Sequence, residues 1–430
     1  MKPLIIPWLG LLLLSCGCSG LREAPARKAF QREMIVPAEL AHQHAGFLLM
    51  DPISGEVIYG HQADQAFIPA STLKLLTWWA VDRWLGEYTT GLIYARSGDS
   101  VIIRGTGAPG LFHPDLQESV ADSFLRTAPS LFWVPMHDPV ARYGPGWAWE
   151  DFPYGFAAER SELPIHGNLT RWYGGDSLRV VPEMFRDSLG KSQSHSSRIL
   201  RAEHRNLFFP PVDSFQRDSL DVPFLGSEAL TAQLLVDTAG NPAQILRNIP
   251  PDWAFFPLRG QSVDTLLSRM LQDSDNFLAE HLLLHAGWRA FDTLSFRHTI
   301  EQAKDTMFPS GDPQLRWVDG SGLSRYNLLS PRQLGEVLLQ IYQTKDSSDW
   351  KRLLPAGGRS GTLESLFLAP EPYVYAKSGS MGNTYNLAGY LLTRKGRVLI
   401  FVSMNNQFLV PSTTIKRALE STLSSVRDRY

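Results

Sequence analysis

The clearest hydrophobic pattern in the chain lies near its C-terminus, where three apolar runs follow one another. Residues 373–380 and 385–393 mix apolar and polar positions, and 398–402 are continuously apolar; short apolar runs of both kinds are typical of strands. Arg-Lys-Gly at 394–396 separates the second run from the third and favours a turn. The pattern therefore predicts three successive antiparallel strands.

A second strand signal lies near the N-terminus. Residues 44–51 and 56–59 are rich in apolar side chains and flank Pro-Ile-Ser-Gly at 52–55. Two apolar runs around such a tetrapeptide are typical of a hairpin. We expect this hairpin to join the sheet formed by the C-terminal strands.

Two other apolar runs have the pattern of helices. Pro69 precedes a long apolar run, and proline is common where a helix begins. Residues 277–285 form another apolar run, directly after a polar triplet in which Ser or Asn could cap the helix. The region between these helices is rich in Pro and Trp and contains strand-like runs such as 101–104. The chain is therefore predicted to belong to the α/β class in the broad sense.

The composition limits the number of domains and the kinds of partner but does not assign a function. The 430 residues are 43% hydrophobic and 20% charged, which is enough to bury large cores in two or three domains. The formal net charge of −2 gives no global bias toward nucleic acid or an anionic membrane. The sequence contains no internal repeat and no glycine loop of the kind that binds phosphate.

Three short motifs carry candidate chemistry, in the order Ser71-Thr-Leu-Lys74, Ser274-Asp-Asn276 and Lys377-Ser378-Gly379. A serine hydroxyl is a weak nucleophile and needs a base within hydrogen-bond reach. A spacing of three at the start of a helix places Ser71 and Lys74 on one face. Lysine can act as a base only if its pKa falls, and burial near a second cation such as Lys377 would lower it.

Each motif also has a structural interpretation. Ser71 could be an ordinary helix cap with Lys74 in solvent, although a lysine in the first turn opposes the helix dipole. Lys377 could be an exposed lysine on an edge strand. A chance copy of the first motif, Ser188-Leu-Gly-Lys191, lies in a polar run where nothing apolar would bury its lysine.

The second motif has a rival in the glycine-rich stretch 319–327. That stretch offers Ser324 and Asn327 at a spacing of three rather than two. We expect it to form a turn packed beside the site, with Ser274 and Asn276 as the chemical pair.

The motifs resemble those of penicillin-binding proteins and serine β-lactamases. The chain is most similar to the D-alanyl-D-alanine carboxypeptidase/endopeptidase family, the class C low-molecular-mass penicillin-binding proteins. The resemblance runs from about residue 45 to residue 405 and includes stretches beyond the motifs: 69–75, 105–110, 274–280, 319–324 and 361–363. Two departures are Ala108, where the family usually has Asp, and Ser378, which replaces Thr but keeps the hydroxyl.

The resemblance implies an antiparallel sheet with flanking helices, interrupted by a mostly β accessory insertion. Ser274 follows Ser71 by 203 residues, and members of the family carry extra domains at that place. We therefore expect a split catalytic domain, 35–90 plus 255–430, around an inserted region at 91–254.

The resemblance also implies roles for the site residues. Ser71 would attack the penultimate D-alanine carbonyl of a peptidoglycan stem peptide while Lys74 takes its proton, and β-lactams would trap the same serine. Ser274 would pass a proton to the leaving amine, and Asn276 would hold the substrate amide.

Lys377, also a catalytic residue, would bind the terminal carboxylate together with Ser378, and Gly379 would let the substrate backbone approach closely. The backbone N–H groups of Ser71 and Ser380 would form the oxyanion hole. We expect no cofactor and no nucleic-acid partner.

Two other functions and a metal site are alternatives to this prediction. A β-lactamase or esterase on the same scaffold would need an extra base for deacylation, and no residue can be assigned to it. A catalytically vestigial, cell-wall-binding lipoprotein is disfavoured because Ser71, Lys74, Ser274 and Lys377 are intact. A helical His281/His285 pair lacks the glutamate of the zinc-protease motif, so we expect no metal.

The N-terminus carries a targeting signal. A short basic start precedes an apolar run at 4–14 that is too short to span a bilayer comfortably. Leu-Leu-Ser-Cys16 resembles the bacterial lipobox, in which the cysteine is acylated after cleavage; Cys18 is the weaker candidate. We therefore expect a signal peptide at 1–15, a lipid on Cys16 and a polar tether at 16–34.

This arrangement predicts an enzyme on the periplasmic face of a bacterial membrane. Gly17 is not the aspartate that retains lipoproteins in the inner membrane, so the outer membrane is favoured. Cys16 and Cys18 are the only cysteines, so the folded body cannot rely on an internal disulfide. The oligomeric state is left open by the sequence.

The lipid anchor can be tested by Cys16→Ala, with Cys18→Ala as the control. We expect Cys16→Ala to move the protein to the soluble fraction or to leave its signal peptide uncleaved, with the site chemistry unaltered. Each buried methylene contributes about 0.8 kcal/mol, so the acylated protein should stay with the membrane. Mass spectrometry of the mature N-terminus is the direct measurement, and an unmodified terminus that begins after residue 18 would contradict the prediction.

Overall fold

The computed structural model describes residues 44–175, 177–191, 197–211, 215, 218–249, 253–311 and 315–430. The predicted signal peptide, Cys16, the tether and positions 35–43 lie outside the described residues.

The described strands are numbered in chain order. They are β1 His44–Met50, β2 Val57–His61, β3 Tyr88–Ser97, β4 Ser100–Arg104, β5 Ser130–Trp133, β6 Leu169–Tyr173, β7 Arg179–Val181, β8 Leu200–Arg201, β9 Phe208–Phe209, β10 Leu220–Pro223, β11 Ala243–Ile245, β12 Phe256–Ser262, β13 Val374–Met381, β14 Thr384–Leu392 and β15 Val398–Asn406.

The described α-helices are numbered in the same way. They are α1 Lys74–Trp84, α2 Val120–Thr127, α3 Glu228–Ala239, α4 Val263–Gln272, α5 Asn276–Phe291, α6 Phe296–Met307, α7 Pro331–Thr344, α8 Ser347–Leu353 and α9 Ser412–Arg429. Short 3₁₀ turns also occur, and two of them, Ala70–Leu73 and Gly361–Leu363, border the site described below.

One five-stranded sheet has the order β13-β14-β15-β1-β2, and all of its pairings are antiparallel. It contains the three predicted C-terminal strands and the predicted N-terminal hairpin, with boundaries within a few residues of those expected. Strand β1 pairs with β15 in a register that sets Leu48 opposite Val402. The first and last strands of the described chain are therefore neighbours, as predicted.

Helix α1 lies inside the core beside this sheet. Most of its residues are buried, including Trp78, which is fully buried, and a helix that is apolar on most faces is typically an interior one. Leu282 of α5 and Leu338 of α7 belong to the same apolar cluster. Full burial of such side chains contributes about 1.5–3 kcal/mol each, so packing fixes α1 between the sheet and its neighbouring helices.

A second five-stranded sheet, β11-β5-β4-β3-β12, takes four strands largely or wholly from the predicted insertion, whereas β12 lies outside it. Its β4–β5 and β5–β11 pairs are parallel, while β3 pairs with β4 and β12 in antiparallel fashion. A separate apolar cluster, which includes Leu131, Trp172 and Phe208, stabilises this region. The sheet extends a few residues past 91–254 at both ends, through β3 and β12, and the domain boundaries stay a prediction.

Strand β12 runs directly into α4, which leads to Ser274. The chain thus passes from the sheet of the inserted region to the second motif without a long loop. Within the described ranges, no helix combines the length and the apolar character needed to cross a bilayer.

Candidate active site

Ser71 lies in a tight turn just before α1. Pro69 precedes the 3₁₀ turn Ala70–Leu73, and α1 starts at Lys74. Ala70 has a φ of +48°, a left-handed conformation that is uncommon for a residue with a Cβ. Ser71 is partly exposed, whereas positions 72–78 are buried, so its hydroxyl is the accessible group in this stretch. It caps no helix, because no side-chain cap bond exists at either element.

Two polar side chains of the main sheet hold this turn in place. Asn386 of β14 donates from Nδ2 to the carbonyl oxygens of Ile68 and Pro69, at 2.9 and 2.8 Å. Asn406 of β15 accepts a hydrogen bond from the Ile68 N–H at 2.7 Å. Both asparagines are buried, and sequence reasoning missed them because only the folded sheet brings them to residues 68–69.

Lys74 is fully buried and has three hydrogen-bond acceptors. Its Nζ lies 3.0 Å from the Ser71 Oγ, 2.6 Å from the Asn276 Oδ1 and 2.9 Å from the Ser321 carbonyl oxygen. Burial lowers the pKa of Lys74 to about 8, against the opposing effect of three nearby carboxylates, Asp275, Glu280 and Asp319. The alternative of a solvated first-turn lysine is wrong.

Lys377 is also fully buried, although it lies on edge strand β13. Its Nζ donates to the Ser274 Oγ at 2.9 Å and to the Ser378 carbonyl at 2.8 Å. Burial, and then the positive charge of Lys74, hold the pKa of Lys377 well below its ordinary value. The exposed-lysine alternative is therefore wrong as well.

The sequence predicts that burial and the second cation both lower the pKa of Lys74. Burial is the largest cause of its low pKa. The positive charge of Lys74 also lowers the pKa of Lys377. Because repulsion between two ammonium groups is mutual, each lysine disfavours the protonated form of the other.

The second motif forms the junction between α4 and α5. Asp275, not Ser274 or Asn276, caps α5, because its Oδ1 accepts a hydrogen bond from the Leu278 N–H at 2.9 Å. Ser274 has a φ of +60°, and this bend lets its hydroxyl reach Lys377. Since Asp275 supplies the cap, both flanking side chains are free to contact the two lysines.

The third motif packs directly against the Ser71 turn. A Cβ on Gly379 would lie 2.6 Å from the Pro69 carbonyl oxygen and 3.0 Å from the Ser71 nitrogen, so a larger residue is excluded. The close approach is therefore by the protein's own backbone, in addition to the substrate approach we expected. Ser380 is exposed beside it.

Thr362 is a neighbour of the third motif that sequence reasoning did not assign. It lies in the Gly361–Leu363 turn, and its Oγ1 accepts a hydrogen bond from the Ser378 Oγ at 2.6 Å. The serine that replaces the usual threonine therefore uses its hydroxyl to fix its own rotamer. In the sequence analysis, residues 361–363 count toward the family resemblance, but no functional role is assigned to Thr362.

The glycine-rich stretch 319–327 lies beside the site, as expected. The Asp319 carboxylate binds the N–H groups of Gly322 and Ser324 and the side chains of Asn327 and Trp147. The Ser324 hydroxyl donates to the Pro145 carbonyl rather than to a lysine. The stretch contributes a backbone carbonyl, that of Ser321, to Lys74.

The inserted region also reaches the site. The Asn276 Nδ2 donates to the Phe156 carbonyl at 3.0 Å. The Phe156 ring is 46% exposed and stacks on Tyr154 at a centroid distance of 5.4 Å. The backbone beside an exposed aromatic side chain therefore contacts the second motif, and this contact could not be inferred from a segment 120 residues away in sequence.

The helical histidine pair bonds to backbone. The Nδ1 atoms of His281 and His285 lie 3.0 Å from the carbonyl oxygens of Gly107 and Thr106. Burial lowers both pKa values to about 4, so both rings are neutral and attach α5 to the inserted region. Within the described ranges, no group of three His, Cys, Asp or Glu side chains is placed to hold a metal.

The geometry can be compared with known proteins. The model of the D-Ala-D-Ala carboxypeptidase 3 (S13) family matches residues 31–173 and 257–426, which include all three motifs. This chain belongs to that family. It is accordingly a serine-type hydrolase of the D-Ala-D-Ala carboxypeptidase class.

Curated relatives agree with this assignment. A D-alanyl-D-alanine carboxypeptidase of Actinomadura sp. (strain R39) is 25% identical over 93% of this chain and 85% of its own length. The D-alanyl-D-alanine carboxypeptidase DacB of Haemophilus influenzae is 30% identical, but the match spans 33% of this chain and 31% of that protein.

Solved structures share the fold. Penicillin-binding protein 4 from Haemophilus influenzae matches with a TM-score of 0.72 at 19% identity, over 93% of this chain and 98% of that one. A predatory peptidoglycan endopeptidase from Bdellovibrio bacteriovorus matches with a TM-score of 0.56 at 13% identity, over 90% and 92% of the two chains. The penicillin-binding-protein fold predicted from the motifs is confirmed.

The two serine candidates can be separated by mutation. We expect Ser274→Ala to slow acylation by fluorescent penicillin by orders of magnitude with little change in melting temperature, because it removes the Lys377 partner. Ser324→Ala removes a buried hydrogen bond and should cost about 1 kcal/mol of stability while acylation stays fast. The assignment fails if Ser324→Ala is the variant that abolishes acylation in a folded protein.

Proposed function

We propose that the protein hydrolyses the terminal D-Ala-D-Ala bond of peptidoglycan stem peptides through an acyl-enzyme on Ser71. The observation that carries this proposal is the contact between a partly exposed serine hydroxyl and a fully buried lysine, 3.0 Å apart. A neutral Lys74 accepts the Ser71 proton as the hydroxyl attacks the penultimate carbonyl. Backbone N–H groups of Ser71 and Ser380 stabilise the oxyanion.

The leaving amine is protonated from the other side of the site. Ser274 accepts a hydrogen bond from Lys377, and in this proposal it passes a proton to the amine. Asn276 anchors Lys74 through its oxygen and orients the substrate amide. Lys377 and Ser378 bind the terminal carboxylate, and the arrival of that anion raises the pKa of Lys377 and favours its charged form.

The stacked rings of Tyr154 and Phe156, next to the backbone carbonyl that binds Asn276, would contact the rest of the stem peptide. Exposed rings supply apolar contact to a peptide side chain at low entropic cost. The inserted region therefore supplies part of the substrate-binding wall.

The carboxylates near Lys74 bear on the rival β-lactamase function. Asp275 caps α5, Glu280 is paired with Arg160, and Asp319 is held by four donors. Each of the three is engaged, so none serves as an extra base for a deacylating water. This favours a long-lived acyl-enzyme with β-lactams. The vestigial alternative is disfavoured because both lysines keep their serine partners.

We also propose that the enzyme is a periplasmic lipoprotein anchored through Cys16, with the outer membrane favoured. The support is the lipobox-like sequence that ends at Cys16 and the glycine that follows it. The polar stretch after Gly17 would let the catalytic body reach the cell wall.

Ser71→Ala tests the nucleophile, with Ser188→Ala as a matched control. Ser188 occupies the chance copy of the motif, whose Lys191 is exposed. We expect Ser71→Ala to abolish covalent labelling by fluorescent penicillin and D-Ala release from a stem peptide, and Ser188→Ala to leave both unchanged.

Three outcomes separate the candidate functions. Stable labelling with peptide cleavage supports the proposal, and rapid penicillin turnover indicates a β-lactamase. The absence of both penicillin labelling and peptide cleavage indicates a vestigial site. If labelling persists in a folded Ser71→Ala variant, the nucleophile is wrong.

The acylation rate should also depend on pH. Only neutral Lys74 accepts a proton, so the rate rises with pH and levels off above the pKa of about 8. Below that value it falls about tenfold for each pH unit. The second-order rate constant of penicillin labelling across this range is the measurement, and a flat profile would exclude Lys74 as the base.

A further inference from the structure

An ion pair outside the three motifs connects the inserted region to the site. Arg160 of the insertion and Glu280 of α5 are both about 2% exposed at their side chains. The Arg160 Nε and one terminal nitrogen lie 3.0 and 2.6 Å from the Glu280 Oε2. Glu280 follows Asn276 by one helical turn, so both project from the same face of α5.

Glu280 also holds the backbone that binds Lys74. Its Oε1 accepts a hydrogen bond from the Ser321 N–H at 2.7 Å, and its Oε2 accepts one from the Gly320 N–H at 3.1 Å. The carbonyl of the same Ser321 accepts a hydrogen bond from Lys74. Arg160, Glu280, Ser321 and Lys74 therefore form one continuous chain of contacts.

Arg160 is itself fixed from several sides. Its guanidinium lies 4.9 Å from the ring centre of Trp147 and 3.8 Å from that of Phe296, and such contacts are favourable when desolvated. Trp147 in turn donates to Asp319, the other buried carboxylate of the site. Arg160 thus contacts one carboxylate and packs on the ring that binds the second.

The charges that face Lys74 explain why a cation is needed here. Asp275 and Glu280 face it from α5, Asp319 from the 319–327 stretch and Lys377 from β13. An unpaired anion beside a buried lysine favours the protonated form, which cannot act as a base. Arg160 also acts electrostatically on Asp319, so it offsets two of these three anions.

We propose that Arg160, supplied by the inserted region, is a positioning residue for catalysis: its ion pair with Glu280 holds the Ser321 carbonyl on Lys74 and keeps Glu280 from locking Lys74 in its protonated form. This inference rests on the proposed role of Lys74 as the base. The accessory region then controls the basicity of Lys74 in addition to forming part of the substrate-binding surface.

Substitutions of Arg160 and of Glu280 should shift the pH profile of acylation in opposite directions. Arg160→Met leaves the negative charge of Glu280 without its ion-pair partner. The rising limb of the plot of acylation rate against pH therefore moves to higher pH by about one unit. The rate at neutral pH then falls about tenfold. Glu280→Gln removes the anion and leaves the arginine, so the limb moves to lower pH. Penicillin acylation rates of the full chain, measured across pH, give both shifts.

Two further variants separate positioning from general damage. Arg160→Lys keeps the charge and should restore the limb to near its original pH. Arg171→Met removes another ion-paired arginine of the inserted region, one that binds Asp115 and Asp221. It should lower the melting temperature without moving the limb.

The inference is overturned if Arg160→Met and Glu280→Gln shift the limb in the same direction or leave it in place, whatever the loss of rate. If Arg160→Met does not fold, Glu280→Gln still decides the sign, because a limb that does not move to lower pH overturns the inference. Failure of the proposed function is a separate result, because it appears as labelling that survives Ser71→Ala. If Ser71→Ala is not labelled by penicillin but the Arg160 and Glu280 variants keep the original pH profile, only the role of Arg160 is rejected.

Discussion

The burial of two lysine ammonium groups beside two serine hydroxyls is the constraint on which the rest of this site depends. Moving a charged nitrogen out of water costs several kcal/mol in practice, and the cost is reduced only where each N–H finds an acceptor. Lys74 has three acceptors, drawn from the 3₁₀ turn, α5 and the 319–327 stretch. The same desolvation lowers its pKa, so the feature that is expensive for folding is also the one on which its proposed role as a base depends.

Strained backbone accompanies both candidate hydroxyls, although it also occurs elsewhere in the described chain. Ala70 and Ser274 both have positive φ values, which cost roughly 1–3 kcal/mol each and persist only where the surroundings determine them. Asn386 and Asn406 hold the first position from the sheet, and Asp275 fixes the second by capping α5. The polar groups that stabilise these bends are thus structural supports for a serine-lysine site.

The predicted insertion contributes side chains and backbone to the candidate active site. It supplies the Phe156 carbonyl to Asn276, the indole of Trp147 to Asp319 and the guanidinium of Arg160 to Glu280. Two of these contacts are made to buried carboxylates, where an unmatched charge would be costly. The catalytic sheet and the insertion therefore depend on each other for the electrostatics of Lys74.

The sequence by itself determined the three motifs, the strands of the main sheet and the family, because strand periodicity and motif spacing are local properties. It also set aside the copy at Ser188, since no apolar neighbours could bury Lys191. Only the tertiary structure decided that Asp275 caps α5, that Thr362 binds Ser378 and that Arg160 pairs with Glu280. These contacts, apart from the cap, join residues that are far apart in the chain. The cap itself was open because three neighbouring polar side chains could each have supplied it; in the fold Ser274 and Asn276 contact the lysines and Asp275 binds the helix N-terminus.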